Sequence, residues 1–167
     1  MELLSSYCLT EPGAGSDAAS LKTKARKDGD DYILDGSKQF ISGAGTSDVY
    51  VVMARTGQDG PKGISAFIVP ADTPGYIVAR VEEKLGQHAS DTAQILFEDC
   101  RIPAANLLGG EGQGYRIALS NLEGGRIGIS AQAVGMARAA FEAALAYAHE
   151  RESFGKPIFE HQSVNFR

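Results

Sequence analysis

The chain has 167 residues, a formal net charge of −5, 22% charged and 43% hydrophobic residues. No cluster of Lys and Arg is available to neutralise a phosphate backbone, which argues against nucleic-acid binding. No stretch approaches the ~18 consecutive apolar residues of a membrane span, and the N-terminus lacks the basic-then-apolar pattern of a signal peptide. Length suffices for one sizeable core, or for a β domain with a helical appendage. Cys8 and Cys100 stand alone without metal-ligand spacing, and are expected to be small buried hydrophobes of a reducing compartment rather than a disulfide.

In chain order, Tyr7-Cys8-Leu9-Thr10-Glu11-Pro12-Gly13-Ala14-Gly15-Ser16-Asp17 runs from a short apolar segment into a turn. Pro12 fixes its own φ, Gly13 and Gly15 permit positive φ, and the hydroxyls of Thr10 and Ser16 face the opening. Residues 20–70 read as antiparallel strands at 21–27, 32–34, 39–41, 49–55 and 64–69, with Asp28-Gly29 and Asp35-Gly36 as hairpin dipeptides. The 49–54 stretch is nearly continuous in apolar character and is expected to be buried on both faces. The polar, Gly-rich connection 56–63 is expected at the surface. Further strands are predicted at 76–81, 94–97 and 100–102. Strands at this spacing with no intervening helix predict an antiparallel β-sandwich or open barrel.

Four Gly in the six residues Gly109-Gly110-Glu111-Gly112-Gln113-Gly114 release the chain from the sheet. From Tyr115 to Glu150 the apolar residues switch to helical spacing, giving one helix of roughly 54 Å. A second helix is predicted to begin at His161 and run to Arg167. The fold class is therefore α+β: a β domain over 1–110 and, over 111–167, part of a helical domain whose long apolar helix needs more partners than this β domain supplies.

Several constellations could carry chemistry. Phe40 and Ser42, two residues apart on a strand, present a ring and a hydroxyl on one face, which suits a flat heteroaromatic ligand or, equally, an ordinary core Phe beside a solvated Ser. Glu123 and Arg126 project from one helix face beside Gly124, Gly125 and Gly128. Each helical Gly costs about 1 kcal/mol relative to Ala, which makes sense where something must pass close to the backbone, although an intrahelical ion pair would also account for Glu123 and Arg126. Arg151, Phe154 and Gln162 combine a cation suited to a pyrophosphate, an aromatic and an amide, and would equally suit a charged helix end.

Taken together, Tyr-Cys-Leu-Thr-Glu-Pro-Gly-Ala-Gly-Ser-Asp, Phe-Ile-Ser-Gly-Ala-Gly, Leu-Glu-Gly-Gly-Arg and Arg-x-x-Phe-Gly-Lys-x-x-x-x-x-Gln occur in the order and spacing of acyl-CoA dehydrogenases, a family that this chain resembles, in particular its isobutyryl-CoA subgroup. The resemblance covers all of this chain but under half of such an enzyme, so a fragment is expected: the middle β domain and the start of the C-terminal helical domain. It implies FAD as cofactor, an acyl-CoA substrate of isobutyryl or butyryl type, an electron-transfer flavoprotein as partner and a homotetramer. The compartment would be the cytoplasm of a bacterium or the mitochondrial matrix of a eukaryote.

The resemblance further implies that Tyr7, Leu9, Thr10, Ser16, Phe40 and Ser42 contact flavin or acyl thioester, with Ser16 also touching substrate. Glu123 and Arg126 would meet the CoA portion, and Arg151, Phe154 and Gln162 would reach the FAD of a neighbouring subunit. Phe40 and Ser42 stand where the family usually carries Trp and Thr. The implied reaction removes an α-proton with a Glu and passes hydride from the β-carbon to the flavin. Some branches carry that Glu directly before the Arg, where this chain has Gly125, so the catalytic base is expected beyond Arg167 and no catalytic residue is expected within the chain. A non-catalytic binding module of the same fold, or a flavin oxidase or monooxygenase, are the alternatives.

Overall fold

The computed structural model describes residues 3–166, so Arg167, the last residue of the expected second helix, lies outside the described residues. The chain divides into two compact units, Met1–Ser120 and Asn121–Arg167.

The first unit holds eight strands: β1 (Ser5–Cys8), β2 (Lys24–Asp28), β3 (Asp31–Ser42), β4 (Val49–Arg55), β5 (Ile64–Pro70), β6 (Tyr76–Val81), β7 (Thr92–Pro103) and β8 (Leu107–Leu108). They form one sheet in the order β6-β7-β3-β2-β4-β5-β8, with β1 added to β4. Most pairs are antiparallel as expected, but β1 runs parallel to β4, and β2 meets β4 in a single parallel bridge, so the sheet is mixed. The sheet curls. Tyr50 of β4 stacks on Tyr76 of β6 with ring centroids 4.6 Å apart, although three strands separate β4 from β6 in the sheet order.

β4 is buried on both faces, as its continuous apolar run predicts. Tyr50, Val52 and Ala54 join a core with Leu34, Phe67, Ile95 and Ile102, while Met53 packs with Leu9, Leu21, Ile64 and Ala118. Cys8 and Cys100 are both buried and unbridged. Burial pushes their thiols up to about 12 and about 11 respectively.

Two expected breaks are bulges in continuous strands. Asp35-Gly36 does not turn a hairpin: β3 runs through it, and β7 likewise joins 94–97 to 100–102. Between the pairs Leu34↔Cys100 and Gly36↔Phe97, β7 carries an extra residue. Asp99 absorbs it in the left-handed region (φ 46°) and its N–H donates to Asp35 Oδ1 at 2.9 Å. Asp28-Gly29, by contrast, does open the β2–β3 hairpin, with Asp28 opposite Asp31. The strand expected from residue 21 starts only at Lys24. The N–H groups of Lys22 and Thr23 donate instead to the Glu11 carboxylate, at 2.6 and 3.0 Å.

Helix α1 (Gly114–Glu150) matches the expected span, and its first turns belong to the first unit. Tyr7 Oη donates to the Ala118 carbonyl at 3.2 Å. In the second unit α1 exposes Ile127, Ile129, Val134, Met136 and Phe141. A short hairpin follows, β9 (Glu152–Ser153) with β10 (Lys156–Pro157), then α2 (Gln162–Asn165). The hairpin was not predicted. Phe154 (φ 51°) and Gly155 (φ 76°) make its two-residue turn, both left-handed as such turns require.

Candidate functional site

The site in the first unit is built where β1 ends and β3 bends. Glu11-Pro12-Gly13-Ala14 closes a tight turn through Glu11 N–H to Ala14 O (2.9 Å) and Ala14 N–H to Glu11 O (3.1 Å). Gly13 and Gly15 are free to take positive φ, but neither does. Proline at the second position already sets the turn, and a Cβ on either glycine would meet no atom within 4 Å, so what these residues supply is an open rim.

Beneath the rim lies a buried ion pair. Lys38 (0% exposed) donates to Glu11 Oε1 at 2.8 Å and to the Leu9 carbonyl at 3.1 Å. Burial opposes the charge on Glu11, but the Lys38 ammonium and the Lys22 and Thr23 donors outweigh it and hold the carboxyl below its usual range. Lys38 is pushed down by burial, and Glu11 restores part of that loss. Nothing in the sequence marks Glu11 and Lys38 as a pair. Lys38 sits between the polar Ser37 and Gln39, so nothing local marks it as buried, and its partner lies 27 residues away.

The next residue turns the strand. Gln39 N–H donates to the Thr10 carbonyl at 2.8 Å, and the β3–β7 pairing slips between Lys38 and Ile41. Phe40 occupies the bulge with φ 58°, a region costly for a side chain with a Cβ, and its ring is 63% exposed. Ser42 is exposed too, Ile41 between them is buried, and the Ser42 carbonyl accepts from Ser6 Oγ at 2.6 Å. Thus Leu9 and Thr10 lie beside Phe40, with Ser42 further along the same strand. Leu9 is buried, Tyr7 and Thr10 are half-buried and Ser16 is exposed on the rim. Burial pushes the Tyr7 hydroxyl up to about 12. Neither the N–H nor the hydroxyl of Thr10 has a hydrogen-bond partner among the described residues.

In the second unit, Glu123 and Arg126 are exposed on α1 and belong to no ion pair among the described residues, so the simple intrahelical bridge is not formed. A Cβ at Gly124, Gly125 or Gly128 would meet nothing within 4 Å, leaving this stretch of backbone open to close approach. Arg151 and Gln162 are exposed, and Phe154 at the hairpin tip is 97% exposed, its ring edge-on to His161 with centroids 6.1 Å apart. His161 is a structural contact, its Nε2 lying 2.9 Å from Ser153 Oγ. His149 stacks on Phe159 at 4.2 Å.

Residues 6–100 match the family model for the acyl-CoA dehydrogenase middle domain, and residues 112–167 match that for the acyl-CoA dehydrogenase C-terminal domain. The chain belongs to the acyl-CoA dehydrogenase family. It is 54% identical over 168 residues to the mitochondrial isobutyryl-CoA dehydrogenase of Dictyostelium discoideum, covering 100% of this chain and 40% of that protein. Butyryl-CoA dehydrogenase from Megasphaera elsdenii superposes with a TM-score of 0.94 at 46% identity, over 98% of this chain and 43% of that one. A glutaryl-CoA dehydrogenase from Mycobacterium smegmatis, solved in complex with FADH2, superposes with a TM-score of 0.89 at 37% identity, over 99% of this chain and 42% of that one. This acyl-CoA dehydrogenase chain therefore spans about 40% of the length of the curated relatives it matches.

Proposed function

We propose that this chain is the flavin- and acyl-CoA-binding part of an FAD-dependent acyl-CoA dehydrogenase that acts on a short branched acyl-CoA, isobutyryl-CoA ahead of butyryl-CoA. The observation that carries the reading is Phe40: an exposed aromatic ring held in left-handed backbone by a bulge, beside a Thr10 whose N–H and hydroxyl are both free among the described residues. Strain of this kind persists where surrounding structure enforces it, and it concentrates at functional sites. The donor set fits a flavin, since a flat apolar face meets the ring and polar edge atoms meet the Thr10 and Ser42 donors.

When bound, FAD supplies a hydride acceptor. The chain's own residues bind and orient: Tyr7, Leu9, Thr10, Ser16, Phe40 and Ser42 hold flavin and acyl thioester in the first unit. Glu123 and Arg126 hold the CoA portion, with Arg126 offering a planar fork of donors and the Gly-rich helix backbone allowing close approach. Arg151, Phe154 and Gln162 serve the FAD of a neighbouring subunit in a homotetramer. Gly125 has no side chain to take a proton, so the base is supplied from outside these residues. Electrons leave to an electron-transfer flavoprotein. Identity of 54% to an isobutyryl-CoA dehydrogenase supports the branched substrate.

The test is an anaerobic titration of the complete protein with FAD, followed by isobutyryl-CoA and, separately, butyryl-CoA. Stoichiometric FAD uptake and bleaching of the flavin absorbance, with the higher kcat/KM for isobutyryl-CoA, is the expected result. FAD uptake without bleaching by any acyl-CoA would refute the dehydrogenase reading, and no uptake would refute the flavin site.

A further inference from the structure

We infer that Glu11 and Lys38 form a positioning pair whose task is to aim the Thr10 peptide and the Phe40 ring at the flavin, an inference that rests on the flavin reading above. The pair ties three pieces of chain, residues 9–11, 22–23 and 38, to one point. Glu11 Oε1 accepts from Lys38 Nζ (2.8 Å) and Thr23 N–H (3.0 Å), and Oε2 accepts from Lys22 N–H (2.6 Å). Lys38 adds the Leu9 carbonyl (3.1 Å). With Glu11 7% exposed and Lys38 fully buried, neither charge can exchange its partner for water.

The consequence for Thr10 is geometric. Its preceding carbonyl, on Leu9, is taken by Lys38, and its own carbonyl is taken by Gln39 N–H at 2.8 Å. Both peptide planes around Thr10 are thereby fixed by two consecutive residues of β3. A trans peptide points its N–H opposite its carbonyl, so holding the Leu9 carbonyl on Lys38 directs the Thr10 N–H away from the buried pair. The same two bonds draw residues 38–39 of β3 towards the end of β1, and the β3–β7 ladder slips at this point, forcing Phe40 into φ 58° with its ring outward. Donor and ring are thus set by one clamp. A simple scaffold role would call only for apolar packing, since a buried ion pair is seldom the most stabilising filling of such a space.

The test separates aiming from holding. In the complete protein, Glu11→Gln combined with Lys38→Met removes both charges while the Gln carbonyl keeps one acceptor for the Lys22 and Thr23 N–H groups. The expected result is a melting temperature of the apoprotein close to that of the unsubstituted protein, FAD affinity at least tenfold weaker, and a visible flavin spectrum shifted towards that of free FAD. Unchanged FAD affinity and spectrum in the double variant would overturn the inference while leaving the flavin reading intact. If the double variant does not fold, the single variant Glu11→Asp, which keeps the charge on a shorter stem, carries the same spectral test. An unshifted flavin spectrum in that variant would likewise overturn it. Failure of the unsubstituted protein to bind FAD would overturn both readings together.

Discussion

Phe40 gives the sharpest quantitative test because two opposed backbone effects meet there. At an ordinary strand position Gly is less stable than Ala by roughly 0.5–1 kcal/mol, through the entropy of the unfolded chain. At φ 58° the order should invert, since a residue with a Cβ pays roughly 1–2 kcal/mol for left-handed backbone and Gly does not. The net advantage of Phe40→Gly over Phe40→Ala is then about 0.5–1 kcal/mol. Because the ring is 63% exposed, truncation itself removes about a third of a Phe burial term, again roughly 0.5–1 kcal/mol. Phe40→Ala should therefore destabilise modestly, and Phe40→Gly should return close to the unsubstituted value. Urea unfolding of the apoprotein followed by circular dichroism measures both. Val81, exposed on β6, is the internal control, where Val81→Ala should be more stable than Val81→Gly. If Phe40→Ala exceeds Phe40→Gly in stability as at the control, Phe40 is not strained and the bulge argument is wrong.

Other outcomes follow from the same physics. Gly114→Ala would place a Cβ 2.4–2.7 Å from the Ser65 backbone, so it should cost roughly 1–3 kcal/mol, read as a lower urea midpoint. Glu11 is held below its usual range in the folded state, so its contribution is complete above the unfolded Glu value of about 4.3 and is lost as pH falls through the folded value. Thermal midpoints between roughly pH 6 and pH 3 should accordingly fall less steeply in the Glu11→Gln, Lys38→Met double variant. With thiols pushed up to about 12 and about 11 and both side chains buried, Cys8 and Cys100 should resist iodoacetamide in the native protein and react only in denaturant, as mass spectrometry would show. Arg126→Gln should raise KM for acyl-CoA roughly tenfold or more with a smaller change in kcat, the signature of lost charge-assisted binding.

How far the sequence could be read depends on whether the signal is local. β4 and α1 were legible because a continuous apolar run and a 3.6-residue periodicity are properties of neighbouring residues. β3 was cut at Asp35-Gly36, which looks like a hairpin, and β7 was split at residues 98–99, whereas in the sheet these positions mark a bulge that only the pairing partner defines. The residues proposed for the site were singled out by resemblance, and Phe40 and Ser42 do stand exposed with Ile41 buried between them. The reason they do so was not legible. It lies in Lys38 and Glu11, whose contact spans 27 residues, and in Gln39 leaving one ladder for Thr10. Likewise Gly13 and Gly15 permitted positive φ, but Pro12 had already made the turn, so the glycines serve as space rather than as conformational exceptions.

The central claim is that Thr10 and Phe40 form the face on which the flavin rests. A crystal structure of the complete protein with FAD tests it most directly. The account predicts the isoalloxazine in van der Waals contact with the Phe40 ring, with the Thr10 N–H or hydroxyl donating to one of its edge atoms. A flavin bound elsewhere, with Thr10 still free and Phe40 facing solvent, would contradict it.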